Sequence, residues 1–136
     1  MQTKAQAIET ARASATSYPD LAHKLKAIGI TGYLFEVASQ IVIYRYSDDS
    51  IFIENRAETR NLQINPQFSR DGVTQAILDN QKGLTDFPTF LQQIATAGIK
   101  AYDADFDEML VSYFGTRDVL VEPIAGGFFN MMGDRN

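Results

Sequence analysis

The chain has a single histidine, His23, and no cysteine. A lone histidine can act as a general base only where the fold brings it a nucleophile or a carboxylate. Leu21, Leu25 and Ile28 set the apolar face of its helix, and at about 100° per residue His23 lies about 200° from Leu21. It is expected to face solvent. Glu36 is the other acid–base candidate, within reach of a groove if one forms. One histidine and no cysteine leave no zinc set of the usual kind. The run Asp103–Ala104–Asp105–Phe106–Asp107–Glu108 suggests calcium, but a calcium-binding EF loop needs glycine at its sixth position and glutamate at its twelfth. Glu108 and Phe114 stand there. No metal site and no cofactor is expected. At strand spacing the three aspartates share one outward face, which reads as an acidic exposed edge that resists strand pairing.

Tyr33, Tyr44, Tyr102 and Tyr113 form the remaining chemical set. Aromatic rings with hydroxyl tips suit a ligand pocket. They suit equally a sheet face packed under helices. Both readings stand at the level of sequence. Gly126–Gly127 is followed by no Lys or Ser/Thr helix start and so makes no phosphate loop. No nucleophile elbow occurs.

Those residues must be positioned by a chain of 136 residues, one domain's worth. A chain of that size buries about two thirds of its unfolded surface. The 45% apolar and 21% charged content is that of a globular protein. Without cysteine, disulfides, iron–sulfur clusters and thiol catalysis are excluded. The polar, alanine-rich start, residues 1–14, does not read as a signal peptide. No apolar run approaches the ~20 residues of a membrane helix, so a cytosolic location without membrane attachment is expected. With a net charge of −5 and 12 scattered Lys plus Arg, the chain lacks the positive footprint of a nucleic-acid binder.

Sliding the sequence against itself by 69 positions reveals a repeat. Gln6, Ala7 and Ile8 fall on Gln75, Ala76 and Ile77, and Pro19, Gly29 and Tyr33 fall on Pro88, Gly98 and Tyr102. The window from residue 6 to residue 33 holds eight identities, where average usage gives about two. Tyr44 falls on Tyr113 and Asp49 on Asp118. The repeat units are residues 1–68 and 69–124, followed by a tail, 125–136.

Each unit carries the same local grammar. Helices are predicted over residues 4–15 and 70–82 from Ile8, Ala11 and Ala15 and from Val73, Ala76 and Ile77. Ser17 and Asp86 are N-caps for second helices, because their side chains can accept an orphan backbone N–H. Pro19 and Pro88 sit in the first turn, where a missing N–H costs little. Gly29 and Gly98 close those helices in the left-handed conformation. The period then changes to two, predicting strands over 33–37, 41–46 and 51–54 and over 102–106, 109–114 and 119–122. Residues 62–64 add a possible short edge strand. The fold class is α+β: two pseudo-symmetric helix–helix–meander units, with helices packed on one face of an antiparallel sheet of about six strands. Two separate sheets are the alternative.

The segments YPDLAHKLKAIGITGY (18–33), DFPTFLQQIATAGIKAY (86–102) and LVEPI (120–124) resemble a small bacterial family, domain of unknown function 1398 (YbcV-like), over roughly residues 15 to 124. Some members carry the label phage envelope protein. The resemblance implies a cytosolic or phage-derived bacterial protein with no assigned activity and no catalytic residues to carry over.

The leading functional expectation is a non-enzymatic binding or interaction module that self-associates. The tail points the same way. Phe128, Phe129, Met131 and Met132 follow a glycine hinge, and four large apolar side chains gain about 1.5–3 kcal/mol each on burial. They are expected to dock, either on their own domain or across the two-fold of a homodimer. The alternative is a small-molecule binder or enzyme using the groove between the units, with His23, Glu36 and the four tyrosines as its lining.

Overall fold

Thr3 opens the first helix, α1 (Lys4–Ser14), with a capping box: its side chain accepts from the Gln6 N–H while the Gln6 side chain accepts from the Thr3 N–H. Ser17 caps α2 (Tyr18–Ala27) and Asp86 caps α4 (Phe87–Thr96), each accepting the N–H three residues on, with proline in the first turn. Ser69 does the same for α3 (Arg70–Gln81). Gly29 and Gly98 follow the second helix of each pair at φ 95° and 92°. These elements come from a computed structural model, which describes residues 1–56 and 61–125.

After each helix pair the chain runs as a three-stranded meander. The first comprises β1 (Ile30–Glu36), β2 (Ile41–Tyr46) and β3 (Ile51–Asn55). The second comprises β4 (Ala101–Asp105), β5 (Leu110–Phe114) and β6 (Val119–Pro123). All six strands form one antiparallel sheet in the order β3-β2-β1-β4-β5-β6. The two meanders join through β1 and β4, with Phe35 opposite Tyr102 and Gly32 opposite Asp105.

Three sequence expectations are corrected here. The aspartate run does not form an edge, because β4 lies in the middle of the sheet and the edges are β3 and β6. Asp103 is paired with Arg45, Asp105 accepts the N–H groups of Asp107 and Glu108 in the turn, and Asp107 meets Lys26. Residues 62–64 form no strand. That segment instead crosses toward the helix ends, where Asn65 N–H donates to Ala95 O and Ser69 N–H to Ala97 O. Ile28, expected in the core, is the C-cap of α2 and is 37% exposed.

The strand alternation divides the sheet into two unlike faces. Tyr33 and Phe35, Val42 and Tyr44, Tyr102 and Ala104, and Val111 and Tyr113 point under the helices and are buried. Contacts such as Phe35–Phe87 and Phe90–Tyr102 tie this face to α4. The opposite face carries no described helix. Ile51, Ile53, Val119 and Val121 lie on it, 47–56% exposed, and Leu34, Ile43 and Leu110 are half-buried there.

Candidate functional site: two tyrosine–glutamate stations under the helices

The core tyrosines are held by an aromatic lattice. Phe35 stacks on Tyr102 at 5.1 Å, Tyr33 meets Tyr102 edge-on at 6.3 Å, and Tyr102 lies 5.5 Å from Tyr113. The hydroxyls of Tyr18 and Tyr33 hydrogen-bond at 2.5 Å. Burial raises the pKa of Tyr18, Tyr33, Tyr102 and Tyr113, because a phenolate there would lack water.

At the flank of the first half a charged cluster forms. Arg12 stands on α1 one turn after Ile8, so the helix that buries Ile8 also drives Arg12 inward. Its Nη1 donates to the Tyr44 hydroxyl at 2.9 Å and to Glu54 Oε1 at 2.7 Å, and its Nη2 donates to Glu54 Oε2 at 3.1 Å. Tyr44 donates in turn to Glu54 at 3.1 Å. Burial alone would raise the Glu54 pKa. The hydrogen bond and charge of Arg12 outweigh that and hold it below the usual carboxylate range. Burial pushes the Tyr44 hydroxyl upward despite Arg12. A fork-on-carboxylate pair of this kind is among the strongest polar contacts in proteins.

The second half has a tyrosine and a glutamate in the same arrangement. Val111 pairs with Glu122 and Tyr113 with Leu120, as Val42 pairs with Glu54 and Tyr44 with Phe52. The 69-residue offset puts Gln81 where Arg12 stands. Gln81, Tyr113 and Glu122 border a crevice of about 10 Å³, room for about one water molecule.

The sequence candidates are distributed as follows. Tyr33, Tyr44 and Tyr102 have no exposed surface, and Tyr113 has 1%. The four rings therefore line no open groove between the halves; they are core, and Tyr113 borders a small crevice. His23 is exposed on α2. Glu36 lies at the end of β1 on the open face and accepts from Ser39. The fold does not bring these two to the tyrosines. Phe128, Phe129, Met131 and Met132 lie outside the described residues. Among the described residues no three His, Cys, Asp or Glu side chains group as a metal-holding set, and no helix is long and apolar enough to cross a membrane.

Sequence reasoning missed Arg12, Glu54, Gln81 and Glu122. A signal existed for the glutamates: Glu54 alternates with Phe52 and Glu122 with Leu120, so period two places both on the helix side. For Arg12 the signal was its position four residues after Ile8.

A family model described as "Protein of unknown function (DUF1398)" matches residues 6–122. No curated protein matches the chain. The chain belongs to the DUF1398 family.

Proposed function

We propose that this DUF1398 member is a non-enzymatic interaction module that pairs with a second copy of itself through the open face of its sheet. The observation behind this reading is the make-up of that face. Ile51 and Ile53 on one edge strand and Val119 and Val121 on the other are large aliphatic side chains half open to water. Single exposed aliphatics are ordinary, whereas two such flanks on one sheet face are the mark of a contact.

A second copy is the partner that this face fits. The strand order puts an aliphatic flank at each end and the Arg45–Asp103 pair between them. A two-fold axis parallel to the sheet, midway between two facing copies, therefore sets flank on flank and a charge-balanced strip on its like. Six strands about 4.8 Å apart, each five residues of about 3.4 Å, give a face of roughly 500 Å². Two copies would bury about 1,000 Å², the lower bound for a specific interface. Aligned or orthogonal sheet packing is the expected geometry. A bacterial, cytosolic or phage-derived setting belongs to the same proposal and rests on the family resemblance.

Sedimentation tests it. The full chain should be dimeric at tens of micromolar, and the double variant Ile53→Lys, Val121→Lys should be monomeric with an unchanged melting temperature. A chain ending at Ala125 separates the sheet face from the apolar tail: the sheet-face reading requires the shortened chain to remain dimeric. A monomeric full-length protein would overturn the proposal.

A further inference from the structure

The two ends of the strands differ in charge. At one end Arg45, Gly32 and Asp105 lie level, and the turns between β2 and β3 (47–50) and between β4 and β5 (106–109) project there. Those turns and the end of β4 carry Asp48, Asp49, Asp105, Asp107 and Glu108 and no lysine or arginine. At the other end Glu36, Ala101, Phe114 and Val119 lie level. Here Lys100 and Arg117 flank a hollow of about 510 Å³. Ala101, Phe114 and Val119 line it, and by strand alternation they belong to the open face. Asp118 is the one carboxylate in the lining. Among the described residues neither Lys100 nor Arg117 has an ion-pair partner.

We infer that the turn between β4 and β5 of one copy docks into this hollow of a second copy, acidic turn on cation-flanked recess, twice about the two-fold. The inference rests on the sheet-face reading above and fixes the orientation of the partner. Two axes parallel to the sheet let copies face each other with their strands aligned, one running along the strands and one across them. An axis along the strands lays each end over the same end of the partner. The carboxylates of the two turns then oppose their own copies, and like charges repel. An axis across the strands lays each end over the opposite end, while each strand stays over its own copy. The turn between β4 and β5 then lies over the far end of β4 and β5, where the hollow is. The twist of about 30° between packed sheets leaves this choice of ends unchanged. Asp107 and Glu108 are exposed at the tip of the turn. Asp107 reaches Lys26 at 3.2 Å, whereas the Glu108 carboxylate has no cation of its own among the described residues. Glu108 is therefore the group that Lys100 and Arg117 would meet.

The experiment is sedimentation equilibrium of the full-length protein with two charge-reversed variants, their folding checked by circular dichroism. The hollow variant is Lys100→Glu, Arg117→Glu and the turn variant is Asp107→Lys, Glu108→Lys. Each alone should raise the dimer dissociation constant at least about ten-fold, because like charges then meet at both contacts. An equimolar mixture should dimerise again, because one contact of the mixed pair is wild type and the other is reversed on both sides. Dimerisation of either variant as tight as wild type, or a mixture that stays monomeric, would overturn the docking while the sheet-face reading stands. A monomeric wild type would overturn both. Should a variant fail to fold, the absence of cysteine allows Glu108→Cys and Arg117→Cys chains to be mixed and treated with a short bismaleimide. The mixed cross-link should exceed that of either chain with itself, and equal yields would overturn the docking.

Discussion

The guanidinium of Arg45 on β2 reaches the carboxylate of Asp103 on β4, at 2.7 and 2.9 Å, across the intervening strand β1. It can do so because the residue beneath it is Gly32. A Cβ at that position would collide with the Arg45 guanidinium and with the Ala104 carbonyl oxygen. Arg45 also donates to that carbonyl at 3.3 Å, so one side chain bridges the two meanders at the seam between β1 and β4.

Gly32→Ala should therefore displace Arg45 and strain the seam. The expected loss is about 1–3 kcal/mol, the range for overpacking. Arg45→Ala alone should cost less, near or below about 1 kcal/mol, since the pair is 38% and 28% exposed. Urea denaturation of the two variants checks the order, and an equal loss in both would show that the glycine is not what makes room.

The Arg12–Glu54 pair should dominate acid stability on its side of the fold. The folded pKa of Glu54 is lowered, so its stabilising contribution is present above the unfolded value and lost as pH falls through the folded one. Glu54→Gln should flatten the pH dependence of stability across the carboxylate range. At neutral pH it should destabilise by up to about 3–5 kcal/mol, the figure for breaking a buried pair, toward the low end because Glu54 keeps 21% exposure. The double variant Arg12→Met, Glu54→Gln should recover part of that loss. Thermal melts from pH 3 to 8 measure both effects.

Tyrosine ionisation should be all or none. All six tyrosines of the chain have raised pKa values, burial being the first cause in each. A folded value above the unfolded one means stability that is intact below about pH 10 and lost as pH rises beyond it. Phenolate absorbance should appear together with loss of helical circular dichroism, apart from a fraction from the half-buried Tyr46. Smooth titration of all six with the helices intact would contradict the burial.

Gly29 and Gly98 hold matched caps but should not tolerate change equally. Both have positive φ, so Ala at either should cost about 1 kcal/mol or more in backbone strain. A Cβ on Gly29 would meet only the Tyr46 ring at 3.6 Å, whereas on Gly98 it would meet Gln67 O at 2.5 Å and Phe68 Cα at 2.9 Å. Gly98→Ala should be the worse by a further ~1–3 kcal/mol, read as the difference between the two melting temperatures.

Much of the fold was legible because its signals are local. Ser17 and Asp86 announce helix starts through their own side chains, and Gly29 and Gly98 announce the ends through φ. Alternation marked the strands, and the 69-residue offset let each element be read twice. The site was much less legible. The tyrosines stood out by symmetry and type, yet they are core. The residues that border the crevice, Gln81 and Glu122, have types that are ordinary on a surface.

By itself, then, the sequence determined the α+β class, the element order, the caps and the alternating faces, since these follow from contacts within a few residues and from side-chain periodicity. Only the tertiary structure decided that β1 and β4 meet at the centre, that Asp103 is therefore a paired central residue, and that Arg12 finds Tyr44 and Glu54 while Glu122 finds no matching cation among the described residues. The physical reason is range. Strand order and charge pairing depend on the free energy of bringing together groups distant along the chain, such as Arg45 and Asp103, whose |i−j| is 58. No local propensity encodes which of several possible partners wins.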